Sequence, residues 1–279
     1  MGTDPIQAVE EALIDTSSAI RSAFTVRGSV DRENPSGEQQ LRADVRADEL
    51  LIERLGKIHG IGMYASEERD STHDVGDGYS VTVDPLDGSS NLESNNPVGT
   101  IVGLYDEPLP TGGQSLEAAW FLVYGPLTTM ISMRAGDVTE AVIVDRAIKD
   151  RGSIRLPEEP TVYGFGGRKP DWPRSFAAFA DEIAHELKLR YGGSLVGDVN
   201  QVLRYGGMFS YPALESAPRG KLRLQFEAIP MAAIVEAAGG ESSNGSESLL
   251  SVEPDELHQR TPVHLGNKAL IDRLETALS

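Results

Sequence analysis

At residues 83–91 the chain reads Val-Asp-Pro-Leu-Asp-Gly-Ser-Ser-Asn. The residues just before Asp84 alternate in polarity and include β-branched side chains, which predicts a strand. That strand brings two carboxylates, those of Asp84 and Asp87, to its carboxyl end. Pro85 restricts φ at this point, and Gly88 permits a sharp reversal of the chain. The stretch therefore predicts a strand followed by a tight turn that carries two acids.

The end of the stretch, Ser89-Ser90-Asn91, supplies hydroxyl groups and, if a helix begins there, free backbone N–H groups. Helix starts of this kind bind phosphate groups. Mg²⁺ suits the neighbouring acids, because it binds a few carboxylates together with phosphate oxygens of a substrate. A second interpretation needs no ligand: an Asp caps a helix and Gly makes the turn. On this stretch alone both interpretations stay open.

The composition excludes several classes of function. Of the 279 residues 43 are acidic and 25 are basic, and the net charge of −18 argues against a general nucleic-acid-binding or anionic-membrane-binding surface. Because the chain has no cysteine, it has no disulfide, thiol nucleophile or cysteine metal site. The five histidines show no spacing typical of metal ligands and are expected to be structural.

The basic residues are mostly arginine, with only six lysines among the 25. A surface rich in acids and poor in lysine is typical of salt-adapted organisms, and an ordinary acidic cytosolic protein is the alternative. The chain shows no apolar segment of signal-peptide type and no run of about 18 apolar residues. We therefore expect a cytoplasmic protein without a membrane partner.

Hydrophobic periodicity predicts an α/β chain. The predicted helices span 4–24, 42–58, 174–187, 196–205, 229–238 and 267–278. The predicted strands span 60–65, 79–83, 98–105, 116–124, 127–134, 138–144, 161–165 and 221–226. A charged, proline-containing segment near 150–159 predicts a boundary between two halves, residues 1–155 and 156–279, packed as one compact unit.

The predicted strand at 221–226 carries charges with a period of two. This period places Lys221 and Arg223 on the same face as Glu227. The two cations suit substrate phosphates, and the carboxylate suits a metal ion. An exposed strand face with balanced charges is the alternative.

Glu67 and Glu68 follow the predicted strand at 60–65. They share with Asp84, Asp87 and Glu227 a predicted place at the carboxyl end of a strand. In layered α/β folds ligands collect at that edge of the sheet. We therefore expect these acids to meet at one site.

Several motifs occur in a fixed order along the chain: Ser66-Glu67-Glu68, Asp84 to Asn91, Gly99 to Tyr105, Gly220 to Arg223 with Glu227, Pro230 to Ala232, and His258 to Arg260 with Pro262. Together they resemble class I fructose-1,6-bisphosphatases, from about Gly37 to the C-terminus. The related inositol monophosphatases usually carry Ile and Thr-Thr where this chain has Leu86 and Ser89-Ser90.

The resemblance implies a layered α-β-α-β-α sandwich and Mg²⁺-dependent hydrolysis of the 1-phosphate of fructose 1,6-bisphosphate, a step of gluconeogenesis. Two or more Mg²⁺ ions per subunit would be held by Glu67, Asp84, Asp87, Glu227 and the backbone carbonyl of Leu86. Glu68 and Asp44 resemble the carboxylate pair that orients and deprotonates the attacking water, and Glu38 stands where the family often has an acid nearby.

The resemblance also implies the substrate contacts, which fall on Gly88, Ser89, Ser90, Arg190, Tyr191, Leu195, Tyr211, Lys221 and Arg223. The two serines would hold the transferred phosphate, and Lys221 would reach the sugar and its 6-phosphate. Tyr191 and Tyr211 would line the 6-phosphate pocket. Arg190 resembles an arginine that a neighbouring subunit contributes, which implies a dimer or tetramer.

Two details depart from the family pattern. Leu195 stands where the family usually has Met in contact with the sugar. The Asn and Tyr that bind the 6-phosphate in the family have no clear match in residues 163–168. The contacts of this chain with the 6-phosphate therefore stay open.

Other activities are alternatives. The same pocket could accept sedoheptulose 1,7-bisphosphate, whereas an inositol phosphate fits Lys221 and Arg223 less well. A non-enzymatic Ca²⁺-binding protein is the alternative from another class. An EF-hand loop begun at Asp84 needs Gly at its sixth and Glu at its twelfth position, where the chain has Ser89 and Asn95.

The family also contains members that AMP inhibits. They bind the nucleotide phosphate at an N-terminal helix start, helped by a Lys-Tyr pair before the strand that leads into the Asp84 turn. Here Gly78 stands in place of that lysine before Tyr79, and Glu10 and Glu11 add negative charge. Because like charge disfavours a phosphate, we expect no allosteric inhibition by AMP at physiological concentration.

Overall fold

The structure, a computed structural model, describes residues 4–25, 28–35 and 39–279. Its α-helices are α1 (Pro5–Ala23), α2 (Arg42–Leu55), α3 (Arg174–Glu186), α4 (Leu195–Tyr205), α5 (Ile229–Ala237) and α6 (Lys268–Leu278). Its strands are β1 (Ser29–Glu33), β2 (Gln39–Leu41), β3 (Gly60–Ser66), β4 (His73–Asp74), β5 (Gly78–Asp87), β6 (Val98–Tyr105), β7 (Leu116–Tyr124), β8 (Thr128–Arg134), β9 (Asp137–Val144), β10 (Ala147–Ser153), β11 (Val162–Phe165), β12 (Lys188–Leu189), β13 (Gly207–Tyr211), β14 (Leu222–Arg223), β15 (Glu241–Ser243), β16 (Arg260–Thr261) and β17 (Val263–Gly266).

Two large mixed sheets organise the molecule. The first has eight strands in the order β10-β9-β8-β7-β6-β5-β3-β4, and only its β3–β5 pair is parallel. The second has five strands in the order β12-β11-β13-β17-β15, with β11 parallel to both of its neighbours. Hairpins and short turns explain the long antiparallel run from β5 to β10, because each strand follows its neighbour in the chain.

The side chains of β7 show how the layers form. Phe121 and its alternate neighbours face α4 and α5, whereas Trp120 and its alternate neighbours face α1 and α2. This period of two gives the large sheet two buried faces. Phe209 of β13 joins the core on the α4–α5 side, and Phe165 of β11 packs against α3 and α6 on the far side of the small sheet.

The result is five layers: α1 and α2, the large sheet, α4 and α5, the small sheet, and α3 with α6. The predicted α-β-α-β-α sandwich is confirmed. The predicted helices are also correct to within a few residues. All but α5 carry an apolar face with helical period, and α5 is apolar almost all round and buried. In the ranges that the structure describes, no helix has both the length and the apolar character to span a membrane.

The prediction of a strand at 221–226 is wrong. Only Leu222 and Arg223 are extended, and Leu224–Ala228 form a π-helical turn that runs directly into α5. All five residues of this turn are buried, so the assumed alternation between a polar and an apolar face does not exist. Glu227 therefore does not share a strand face with Lys221 and Arg223, and it reaches its neighbours from a helical turn.

The sequence reading also missed strand β10. All seven residues of this edge strand are exposed, so it lacks the apolar alternation that predicts a strand. It lies in the large sheet and overlaps the first residues of the segment near 150–159, where we predicted a boundary between halves. Beyond it, the backbone N–H of Leu156 donates to the carbonyl oxygen of Ala238 at 2.9 Å. The division at residue 155 stays a prediction.

Candidate active site

A cavity of about 650 Å³ lies where the large sheet meets α4 and the β13–β14 region. It is lined by Asn34, Gln40, Asp44, Glu67, Glu68, Asp84, Leu86, Asp87, Gly88, Ser89, Ser90, Asn91, Tyr191, Gly193, Ser194, Leu195, Asp198, Phe209, Tyr211, Lys221, Leu222, Arg223 and Glu227. All predicted site residues are in this set except Arg190 and Glu38. Glu38 lies outside the described residues.

Three buried carboxylates form the centre of the cavity. Glu67 follows β3, Asp84 lies in β5 and Glu227 lies in the π-helical turn, and one oxygen of each lies within 4.8 Å of the others. Burial raises the pKa of Asp84 and of Glu227 well above the usual range, and repulsion from Glu67 raises both further. A divalent cation would relieve both penalties, and hard cations prefer oxygen ligands. The residues present therefore fit a metal ion such as Mg²⁺.

Arg223 orients two of these three carboxylates. Its guanidinium lies 3.1 Å from an oxygen of Glu67, and both side chains are nearly buried. Its backbone N–H donates to Oε2 of Glu227 at 2.6 Å. Breaking a buried ion pair leaves an uncompensated charge, so Arg223 holds the acids in place as well as lining the cavity.

Asp87 joins the large sheet to helix α4. Its two oxygens accept hydrogen bonds from the backbone N–H groups of Leu195, at 3.2 Å, and Val196, at 2.8 Å. A carboxylate at a helix N-terminus is favoured by the helix dipole. Burial nevertheless outweighs these two bonds and raises the pKa of Asp87 to about 7. Each oxygen keeps a second lone pair, so this arrangement is compatible with a metal ion as well.

Glu68 and Asp44 both line the cavity. Burial, followed by repulsion from Glu67 and Asp44, raises the pKa of Glu68 to about 8. Gln40 donates its amide N–H to Oε2 of Glu68 at 2.5 Å and to the Glu68 carbonyl oxygen at 3.1 Å. A carboxyl group with a pKa near neutrality can take up or release a proton during a reaction.

The turn after β5 brings the serines to the cavity. Gly88 has φ of 71°, and a Cβ at this position would lie 2.3 Å from Cβ of Ser194. Only glycine permits both this left-handed conformation and this close approach. A short 3₁₀ helix, Ser89–Leu92, follows, so Ser89 and Ser90 lie at a helix start and line the same cavity as the three acids.

Larger apolar and aromatic side chains line another part of the cavity. Tyr191, Leu195 and Tyr211 line it, and exposed Lys221 lies at its edge. Burial raises the pKa of Tyr191 to about 12, so its phenol group stays protonated and can donate a hydrogen bond. Arg190 does not line the cavity of its own chain. Its guanidinium carbon lies 5.8 Å from the centre of the Tyr205 ring.

Comparison with known proteins places the chain in a family. The model of the fructose-1,6-bisphosphatase N-terminal domain matches residues 5–150, and that of the C-terminal domain matches residues 156–279. The chain belongs to the fructose-1,6-bisphosphatase family.

Relatives within this family cover nearly the whole chain. A class 1 fructose-1,6-bisphosphatase of Halobacterium salinarum is 53% identical over 99% of this chain and 98% of its own. The corresponding protein of Natronomonas pharaonis is 53% identical over 99% of each chain. The crystal structure of Leishmania major fructose-1,6-bisphosphatase in holo form matches with a TM-score of 0.91 and 27% identity, over 98% of this chain and 94% of that one.

The sequence analysis gave no role to the side chains of Gln40, Asn91 and Asp198, which all line the cavity of this fructose-1,6-bisphosphatase family member. Asn91 belongs to the quoted stretch, but its spacing indicates no contact. Asp198 carries a signal, because it lies three residues after Leu195 and four before Val202, on the apolar face of α4. Gln40 lies in strand β2, which has three residues and is too short to show a periodicity of apolar side chains.

Proposed function

We propose that the protein hydrolyses the 1-phosphate ester of fructose 1,6-bisphosphate, giving fructose 6-phosphate and inorganic phosphate. The observation that carries this proposal is the group of three buried carboxylates beside the Ser89-Ser90 turn, in a cavity of about 650 Å³. Membership of the family over the whole chain supports the same substrate. The reaction belongs to gluconeogenesis.

The metal ions are proposed to be Mg²⁺, two or more per subunit. Glu67, Asp84 and Glu227 would hold them, with Asp87 and the carbonyl oxygen of Leu86 as further ligands. Bound Mg²⁺ neutralises charge on the transferred phosphoryl group and makes water a better nucleophile. No nucleophilic side chain is needed, which agrees with the absence of cysteine.

The protein groups around the phosphate have two tasks, which are to hold the phosphate in place and to accept a proton. Backbone N–H and hydroxyl groups of Ser89 and Ser90 would bind the phosphate at the 3₁₀ helix start. Glu68, beside Asp44, would accept the proton of the attacking water. Because Gln40 already bonds to Oε2, we assign this proton to Oε1. The oxygen of water bonds to phosphorus, the ester bond to the sugar breaks, and the leaving sugar oxygen takes up a proton.

The sugar end of the substrate would lie against Tyr191, Leu195 and Tyr211. Lys221 is the proposed partner of the 6-phosphate, as a mobile cation at the cavity edge. Arg190 would complete this subsite from a neighbouring subunit. Its exposure beside Leu189 and Tyr205, which are 59% and 50% exposed, supports self-association through this surface. A cytoplasmic location and a salt-adapted surface stay predictions, the second supported by the halophile relatives.

Phosphate release from a panel of substrates tests the proposal. The panel holds fructose 1,6-bisphosphate, sedoheptulose 1,7-bisphosphate, fructose 6-phosphate and an inositol monophosphate, each with Mg²⁺ and with EDTA. We expect fructose 1,6-bisphosphate to give the highest kcat/KM and EDTA to abolish turnover. Equal cleavage of mono- and bisphosphates, or turnover that survives EDTA, contradicts the proposal.

A further inference from the structure

The backbone that links the two walls of the cavity is a pair of glycines, Gly192 and Gly193, between Tyr191 and Ser194. Gly193 has φ of 83°, and a Cβ on it would lie 3.1 Å from Oδ1 of Asn91. Two consecutive glycines have more conformational freedom than any other pair of residues. Without external contacts this link would let Tyr191 move relative to the start of α4.

Asp198 holds this link from the α4 side. Its Oδ1 accepts the N–H of Gly192 at 2.6 Å, and its Oδ2 accepts the N–H of Gly193 at 3.2 Å. The side chain is 2% exposed. Burial raises the pKa of Asp198 to about 6, against the lowering by these two bonds. Burying a carboxylate costs free energy, and this one lies on a helix face that otherwise packs apolar side chains. Its presence there therefore indicates a role other than stability.

Asn91 holds the same link from the phosphate side. Its amide Nδ2 donates to the carbonyl oxygen of Gly192 at 2.9 Å and to that of Pro97 at 3.0 Å. Asn91 directly follows the two serines of the phosphate turn, and its own backbone N–H donates to the carbonyl oxygen of Gly88 at 2.8 Å. One amide therefore ties the phosphate turn to the wall that carries Tyr191.

The two side chains together satisfy three polar groups of the glycine link: both N–H groups and one carbonyl. We propose that Asp198 and Asn91 are positioning residues, which fix the distance between the phosphate turn at Ser89-Ser90 and the sugar-binding wall at Tyr191 and Leu195. This role rests on the proposed function, because it assigns the two walls to the two ends of a sugar bisphosphate. Neither side chain takes part in the chemical step.

Fixing this distance before the substrate arrives has a defined kinetic consequence. A flexible link must be ordered when the substrate binds, and this ordering weakens binding. The loss falls on KM rather than kcat when the reacting groups are unaffected. The substrate that spans both walls is affected most, whereas inorganic phosphate, which would contact only the serine turn, is affected little.

The experiment compares Asp198→Ala, Asp198→Asn and Asn91→Ala with the full-length protein. Asp181→Ala is the matched control, because Asp181 is an exposed helical acid of α3 whose contact is with Lys169. KM and kcat for fructose 1,6-bisphosphate, the Mg²⁺ half-saturation and the inhibition constant of inorganic phosphate are measured for each. Hydrogen–deuterium exchange of the segment 191–195 is measured without substrate.

For Asp198→Ala we expect KM to rise about tenfold or more, since two charge-assisted bonds are lost, with kcat, Mg²⁺ half-saturation and phosphate inhibition within about threefold. Asp198→Asn keeps one acceptor oxygen, so its KM should lie between that of Asp198→Ala and that of the native protein. Asn91→Ala raises KM as well, and the double variant raises it by less than the product of the two effects, because both hold one link. Exchange at 191–195 rises in these variants and not in the control.

An unchanged KM in Asp198→Ala with faster exchange overturns the proposal, and so does an equal loss in Asp181→Ala. If kcat falls with KM unchanged, the two residues act on the chemical step and not on positioning. If none of the three variants folds, the contacts of Asp198 and Asn91 with the glycine link are structural and the proposal is wrong. Failure of the proposed function shows separately, as a native protein that does not cleave fructose 1,6-bisphosphate, and the exchange measurement then still decides whether the link is held.

Discussion

Replacing Asp84 by Asn should stabilise the metal-free protein while removing its response to Mg²⁺. The oxygens of Glu67, Asp84 and Glu227 lie within 4.8 Å of one another. At an effective dielectric constant of about 20, two unit charges at this distance repel by about 3.5 kcal/mol. The amide of Asn removes the charge and keeps the acceptor Oδ1, to which the N–H of Leu86 donates at 3.0 Å. In the metal-free protein the native carboxyl either bears this repulsion or takes up a proton, as its raised pKa indicates, and either costs stability that the variant does not lose.

Metal binding reverses the order of stability. At a Mg²⁺ concentration about 100 times its Kd, the native protein gains about 2.7 kcal/mol. For a chain of this size that corresponds to a rise in Tm of about 5 °C. Asp84→Asn should show no such rise, and its kcat should fall by about 10³-fold or more, since metal ions contribute several kcal/mol to the barrier.

The assay is thermal unfolding of both proteins in EDTA and in saturating Mg²⁺. Asp48→Asn is the matched control, because Asp48 is as buried as Asp84, at 4% exposure, yet has favourable partners. Arg69 lies 2.7 Å from one of its oxygens and the hydroxyl of Tyr64 donates to the other at 2.9 Å. The control should unfold at a lower temperature in both buffers. An Asp84→Asn variant that unfolds below the native protein in EDTA, or keeps the Mg²⁺ shift, refutes the reasoning.

Four further outcomes are expected. Lys221→Ala should raise KM for fructose 1,6-bisphosphate by about tenfold and leave a monophosphate unaffected, because one phosphate contact is lost; equal effects on both substrates contradict this. Thermal unfolding should shift upward between low and molar KCl, since salt screens the net charge of −18, and a flat or falling midpoint counts against it. Burial lowers the pKa of His264 to about 3, so between about pH 6.5 and 3 the unfolded chain binds a proton that the folded chain does not, and the free energy of unfolding falls as the pH falls. His264→Phe should weaken this pH dependence of stability between pH 7 and 5. AMP should not inhibit, because Asp4 already accepts the N–H of Ile6 at the start of α1 and pairs with Arg134; cooperative inhibition at micromolar AMP would overturn this.

The sequence predicts the layers well, because they depend on periodic burial. The strands β6 to β9 were predicted to within one residue, since each has an apolar face and the turns between them carry glycine, proline or charge. The small sheet was harder. Strand β13 spans only five residues and β17 only four, so each is too short to show a clear period of two. The periodicity of apolar residues cannot distinguish such short segments from helices or loops.

The cavity shows the same limit at the level of single contacts. The acids at 67, 84 and 227 were expected to meet, and they do. Their meeting does not depend on three strand ends, because Glu227 arrives from a π-helical turn whose side chains are buried on every side. The hydrogen bond between Asp198 and Gly192 joins residues that are six apart in the sequence. The hydrogen bond between Asn91 and Gly192 joins residues that are 101 apart. Neither distance follows from a pattern in one segment.

The three central carboxylates come from distant parts of the chain, and this separation has a consequence for biosynthesis. Glu67 directly follows strand β3 of the large sheet, and Asp84 lies in its strand β5. The last strand of this sheet ends at Ser153, whereas Glu227 follows 74 residues later, in the turn before α5. During translation the large sheet can therefore be complete while the third carboxylate is still to be made. A nascent chain has at this stage two acids near each other and no closed metal site. Mg²⁺ would then favour the final docking of α5 against the large sheet, as a ligand that binds only when assembly is finished.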